Sequence, residues 1–178
     1  MPRLASRFVI AVVIALAAAA PTIGATTNRG VVAENALDVA KAIALMATHP
    51  GDLFDYEDEK PGARPIDRAI PLFVALPTTA GTGSEVGRST VISDDDTKVK
   101  KIIFSPRLLA QRVIIDPDLT LALPATVTAS TGFDALTHLV EAFLARGFHP
   151  MCDGIALEGL RLLSRNLTLC VDFARQIE

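Results

Sequence analysis

Apolar and polar positions along this chain change period several times. Phe8 to Ala20 is an unbroken apolar run behind Arg3 and Arg7, and the small-residue stretch Pro21-Thr22-Ile23-Gly24-Ala25 follows it. Over 34–48 the spacing turns helical. Leu37, Ala40, Ile43, Ala44 and Ala47 form one stripe, Asn35 is placed to cap it, and Pro50-Gly51 stops it. Residues 51–69 carry charges with Pro61, Gly62 and Pro65, and read as a loop. Leu72 to Leu76 is a short apolar run, which predicts a buried strand over 71–76.

A short helical turn is expected over 84–87. Ser89–Ile92 and Lys101–Phe104 read as strands joined by the polar turn Asp94-Asp95-Asp96-Thr97. The three aspartates lack the spaced ligands and distant Glu of a calcium loop, so they read as a solvated turn. Val113-Ile114-Ile115 predicts another buried strand, ended by Asp116-Pro117. Pro124 opens a helix through about Ala145, with Gly132 as a close-packing point. Pro150 opens a further helix with Ile155, Ala156, Leu160, Leu163 and Leu167 inward. The pattern is α/β first and all-α afterwards, with a boundary near Leu121–Pro124 and no internal repeat.

The chain has 178 residues, enough for one ordinary domain. Half of it is hydrophobic, and much of the excess sits in the first 25 residues. The net charge of −3, with both signs interspersed, marks no nucleic-acid or anionic-membrane surface. Cys152 and Cys170 stand outside any CxxC pattern, which favours a reduced compartment; a disulfide would require them on neighbouring helices. The N-terminal order of basic, apolar and small residues is the secretory signal pattern, with a cut after Ala25, and its apolar run is short for a membrane span. Two readings of residues 1–30 stay open: a signal-like leader, and a non-native or degenerate N-terminus.

Two segments carry chemistry. Gly132-Phe133-Asp134-Ala135-Leu136-Thr137-His138-Leu139-Val140-Glu141 places a carboxylate and an imidazole four apart in a helical pattern. Residues i and i+4 share a helix face, so Asp134 and His138 can reach one divalent cation together. Glu141, two turns from Asp134, reads as a surface charge. Pro77-Thr78-Thr79-Ala80-Gly81-Thr82-Gly83-Ser84-Glu85-Val86 runs from strand to helix start. Its glycines permit close backbone approach, and its hydroxyls and helix start suit an anionic phosphate. By itself that segment fits an ordinary capped turn equally well.

With Asp38-Val39-Ala40-Lys41-Ala42-Ile43-Ala44, Ile114-Ile115-Asp116-Pro117-Asp118-Leu119-Thr120, Leu123-Pro124 and His149-Pro150-Met151-Cys152-Asp153, these segments resemble the iron-containing (group III) alcohol dehydrogenase family from about Asn35 to Leu167. The resemblance implies a partial Rossmann-like cofactor domain leading into the first helices of an α-helical metal-binding domain. It implies Asp134 and His138 as two of four ligands to a divalent metal, Fe2+ first and Zn2+ second. It implies Thr78, Thr79, Thr82 and Ser84 against an NAD or NADP cofactor, and Lys100 near the nicotinamide ribose in the catalytic site. A small alcohol or aldehyde substrate, a cytoplasmic location (exported if the leader is a real signal) and the homo-oligomers of the intact family come with it. The related glycerol dehydrogenase and dehydroquinate synthase group fits the Asp134–His138 segment less well.

Two departures stand out. The family's Gly-Gly-Gly-Ser phosphate loop corresponds here to Val32-Ala33-Glu34-Asn35, with a negative charge where a pyrophosphate belongs. The family's other two ligand histidines lie downstream of the Asp134–His138 helix, at positions past Glu178. His49 and His149 read as surface or capping residues. The expected organisation is a leader over 1–30, a partial dinucleotide-binding α/β domain over 31–121 and the start of a helical metal-binding domain over 122–178. The expected function is an NAD(P)- and metal-dependent alcohol dehydrogenase fragment, with a non-catalytic, partner-dependent remnant as the alternative.

Overall fold

The computed structural model describes residues 36–94 and 96–177, together with the backbone of 11–14 and 31–33. Its elements in order are β1 (Ala11–Ile14), β2 (Val31–Ala33), α1 (Ala36–Met46), β3 (Phe73–Leu76), β4 (Ser89–Asp94), β5 (Val99–Phe104), β6 (Arg112–Val113), α2 (Ala125–Leu144) and α3 (Pro150–Ile177). The α/β part precedes the all-α part, as the periodicity predicts. The chain forms two compact units: Met1–Pro77 with Ser84–Ile115, and Thr78–Gly83 with Asp116–Glu178. The change of unit falls at Ile115/Asp116, and six residues of the Thr/Gly loop group with the helices.

Among the described residues, the first unit holds two three-stranded sheets. One is parallel, in the order β1-β3-β6, with Ala11 opposite Phe73 and Val74 opposite Arg112. Four residues of the apolar run, Ala11–Ile14, form a strand of this sheet. The other sheet is antiparallel, in the order β2-β4-β5. Its β2 pairs Val31 with Asp94 and Ala33 with Ile92, so the region of the missing glycine loop begins as a strand; Glu34 and the Asn35 cap lie outside the described residues.

Helix α1 packs on these strands with a different face from the one its apolar residues predict. Leu37, Ala40 and Ala44 are buried, but Ile43 and Ala47 are exposed, and Asp38, Lys41, Ala42 and Leu45 take their place. The buried face is rotated because it carries a charged pair, Asp38 and Lys41, with polar partners inside the unit. Ala42 and Leu45 join Leu53, Phe54, Tyr56, Ile92, Ile103 and Leu108 in one core, and Leu37 and Ala40 join Phe73 and Ala75 in another.

Three residues of the first core come from the stretch read as a plain loop. Leu53–Tyr56 is a 3-10 turn closed by a capping box. The Phe54 amide donates to Asp52 Oδ1 at 2.9 Å, and the Asp52 amide donates to Asp55 Oδ2 at 3.1 Å. His49 is likewise no surface residue, being 3% exposed. The Arg68 amide donates to its Nε2 at 3.2 Å, which leaves the proton on Nδ1, facing the Leu45 carbonyl at 3.1 Å. It caps the end of α1 from within the core.

The aspartate turn is only partly solvated. Asp94 is buried beside Lys101, whose ammonium lies 3.3 Å from Asp94 Oδ2 and 3.2 Å from Glu57. The Asp96 amide donates to Asp94 Oδ1 at 3.1 Å. Val113-Ile114-Ile115, expected as a buried strand, gives only the two-residue β6, and Ile115 is 70% exposed. An edge strand has one bonded neighbour, here β3, and nothing among the described residues covers its outer side.

The second unit is built on the pair α2 and α3. Two glycines let the helices approach closely. A Cβ on Gly159 would come within 2.5 Å of Leu139 Cδ2, and a Cβ on Gly132 would overlap the Leu167 side chain. Each helix thus receives a leucine of the other in a notch, as expected for Gly132. His149 caps α3, receiving the Cys152 amide at Nδ1 and the Asp153 amide at its carbonyl.

Ala156 is buried and Leu160, Leu163 and Leu167 are half-buried on the packed side of α3, but Ile155, expected with them, is 65% exposed. It belongs to a second apolar stripe with Met151, Leu162, Leu169, Phe173 and Ile177, about 120° around the helix from the packed side. Cys152 and Cys170 are both exposed on α3, about 27 Å apart along its axis, so they do not form a disulfide with each other. No helix among the described residues is long and apolar enough to cross a membrane.

Candidate metal and nucleotide site

In α2, Pro124 precedes the first turn and the helix runs unbroken past the expected ligand pair. Asp134 Oδ1 and His138 Nε2 lie 3.6 Å apart, one turn from each other, with side chains 43% and 53% exposed. Donors at that separation suit one cation with bonds of about 2.1 Å and an angle near 120°, within the tetrahedral range. The pair therefore fits two places in a metal's coordination shell. Among the described residues no group of three or more His, Cys, Asp or Glu side chains converges on a metal position. Glu141 is exposed, as a surface charge should be.

The Thr/Gly loop lies against this helix. A Cβ on Gly81 would stand 3.3 Å from Asp134 Oδ2, from Thr131 Cβ and from the Thr131 carbonyl. Gly81 thus lets the loop backbone run past the turn of α2 that carries Asp134. Gly83 has φ +65°, a left-handed conformation that favours glycine. Thr78 and Thr79 are half-buried and Thr82 is exposed.

Ser84 is placed differently. It starts a 3-10 turn, Ser84–Val86, in the first unit, and its hydroxyl donates to Asp38 Oδ1 at 2.8 Å. Lys41 Nζ donates to Ser84 Oγ at 3.0 Å and to the carbonyls of Ser84, Gly87 and Ser89 at 2.7, 3.1 and 2.9 Å. Thr90 Oγ1 donates to the Asp38 carbonyl at 2.7 Å. Burial raises the Asp38 carboxyl above its ordinary range, partly offset by the Ser84 bond and by Lys41. Burial lowers the Lys41 ammonium, partly offset by Asp38. The sequence signal for this cluster was the i, i+3 pair Asp38 and Lys41 interrupting the apolar face of a helix. Lys100 is exposed on β5, opposite Ser93 of β4, in the first unit.

Comparison with known proteins accounts for the two segments. The family model described as iron-containing alcohol dehydrogenase matches residues 34–117, and that of the Fe-containing alcohol dehydrogenase family, C-terminal, matches 128–178. The chain belongs to the iron-containing alcohol dehydrogenase family. It is 50% identical over 127 residues to 4-hydroxybutyrate dehydrogenase of Cupriavidus necator, covering 71% of this chain and 33% of the relative. It is 42% identical to 1,3-propanediol dehydrogenase of Klebsiella pneumoniae, covering 79% and 35%. Among solved structures, a 1,3-propanediol oxidoreductase superposes with a TM-score of 0.71 at 41% identity, over 79% of this chain and 36% of the other. A sulfoacetaldehyde reductase from Bifidobacterium kashiwanohense, in complex with NAD+, gives 0.66 at 35% identity, over 77% and 36%. The chain spans about a third of the length of the curated relatives it matches.

Proposed function

We propose that this chain carries part of the site of an NAD(P)- and metal-dependent alcohol dehydrogenase acting on a small alcohol or aldehyde. The observation that carries the reading is the approach of Gly81 to Asp134, which sets the nucleotide-type loop beside the metal-type pair on one helix. When bound, the divalent cation polarises the alcohol oxygen and the nicotinamide accepts hydride. The chain's own part is binding and orientation. Asp134 and His138 supply two ligands, with iron the favoured metal and zinc the second. Thr78, Thr79 and Thr82 form the nucleotide-facing loop, Ser84 closes its C-terminal end, and Lys100 serves the nicotinamide ribose. A cytoplasmic setting, where nicotinamide cofactors are supplied, and assembly into homo-oligomers belong to the same proposal.

A non-catalytic remnant is the second reading. It draws on the strand that begins where the family has its glycine loop. Calorimetry with Zn2+, anaerobic Fe2+ and NAD+ on the full chain tests the first reading. Saturable cation binding, lost in both Asp134→Ala and His138→Ala, supports it. Cation binding indifferent to both substitutions refutes the ligand assignment.

A further inference from the structure

We infer that Asp38, Lys41 and Ser84 form a clamp that positions the C-terminal exit of the Thr/Gly loop, and that Ser84 belongs to this framework and not to the set that touches nucleotide. The inference rests on the nucleotide-binding reading above and refines it.

Hydrogen-bond capacity carries the point. An ammonium has three donors, and four acceptors surround Lys41 Nζ between 2.7 and 3.1 Å: the Ser84, Gly87 and Ser89 carbonyls and Ser84 Oγ. Lys41 is 1% exposed and has no donor left over for a ligand. Ser84 has one hydroxyl proton, and it goes to Asp38 Oδ1 at 2.8 Å. A phosphate oxygen is an acceptor and needs donors. Ser84 could serve one only by releasing a buried carboxylate. Asp38 also receives the Val91 amide at its carboxyl and the Thr90 hydroxyl at its carbonyl. Two residues one helical turn apart on α1 thereby hold the chain at Ser84, Gly87, Ser89, Thr90 and Val91.

Lysine suits the task. Its rotatable donors reach three carbonyls lying in different directions, whereas a planar guanidinium presents a fixed fork. The pair Asp38 and Lys41 also explains why the helix gives polar residues a place on its packed side and leaves Ile43 exposed.

The test is amide hydrogen exchange on the full chain, with NAD+ titrations alongside. In Ser84→Ala, amides of residues 84–91 should exchange about tenfold faster or more, while those of α2 and α3 stay unchanged. Asp38→Asn should act on the same amides, and the double variant should add little to either single change. Ser84→Thr, which keeps the hydroxyl, should restore protection. Exchange over 84–91 staying within about twofold in Ser84→Ala would overturn the clamp. So would loss of NAD+ affinity in Ser84→Ala with exchange unchanged, since that marks a ligand. If the parent chain binds no NAD+, the nucleotide reading fails, and the exchange data still decide the clamp.

Discussion

The Leu167 side chain occupies the space that a Cβ on Gly132 would need, and Leu139 stands in the same relation to Gly159. Both glycines lie inside helices, where alanine is normally better by about 1 kcal/mol. Here the sign should reverse. Gly132→Ala is expected to lower stability by about 1–3 kcal/mol, the usual result of overpacking. Leu167→Ala removes the obstruction, so the double variant should be more stable than the sum of the single effects predicts. Urea unfolding followed by circular dichroism checks this, and strict additivity would show that the helices do not meet at this notch.

Gly81 offers a test of the loop against the metal pair. A methyl group there would stand 3.3 Å from Asp134 Oδ2 and from Thr131, closer than such contacts normally come. Gly81→Val should displace either the loop or the carboxylate and weaken Zn2+ binding more than Ala80→Val, whose position is exposed. Calorimetry compares the two.

The two buried aspartates should respond oppositely to acid. Asp38 titrates above its ordinary value of 3.8, because burial outweighs Ser84 and Lys41. Its stability contribution is full below 3.8 and is lost as pH rises through the folded value. The parent should therefore gain on Asp38→Asn as pH falls from neutral. Asp94 titrates below 3.8: burial pushes it up, but the Asp96 amide, Lys101 and Thr97 together outweigh that. Its contribution is present above 3.8 and lost as pH falls through the folded value, so the parent's advantage over Asp94→Asn should shrink in acid. Parallel thermal melts from pH 7 to pH 3 read both slopes.

The capping box at Asp52 holds a turn that supplies three core side chains. Asp52→Ala should cost about 1 kcal/mol, the usual loss for an N-cap. Phe54→Ala should cost about 3–5 kcal/mol; it also removes the ring under the Lys101 ammonium, 4.8 Å from its centroid. Urea unfolding of the two variants measures both losses.

The long helices, the β4–β5 hairpin and the closeness of Asp134 to His138 were legible because each rests on local spacing. Pro124 and Pro150 announced α2 and α3, and Gly132 announced the notch. What was hidden depends on partners distant in sequence. The face of α1 turned on Asp38 and Lys41 meeting residues 84–91, some 46 positions away for the Asp38–Ser84 bond. His49 was buried by an amide at Arg68, and Asp94 by Lys101 and Glu57. The stretch 51–69 looked polar because its three core residues are outnumbered by charges. The approach of Gly81 to Asp134 joins two motifs that sequence could only set side by side.

Helix α3 has apolar side chains on two faces about 120° apart, and among the described residues one of them packs against α2. Water wets one of those faces at a continuing free-energy cost of about 25 cal/mol for every Å² of apolar surface left uncovered. Purified alone, such a chain should have a melting temperature that depends on how concentrated it is, because any contact that shields Ile155, Leu162 and Phe173 is coupled to folding by mass action. Its solubility, more than its fold, should set the concentration at which these experiments are done.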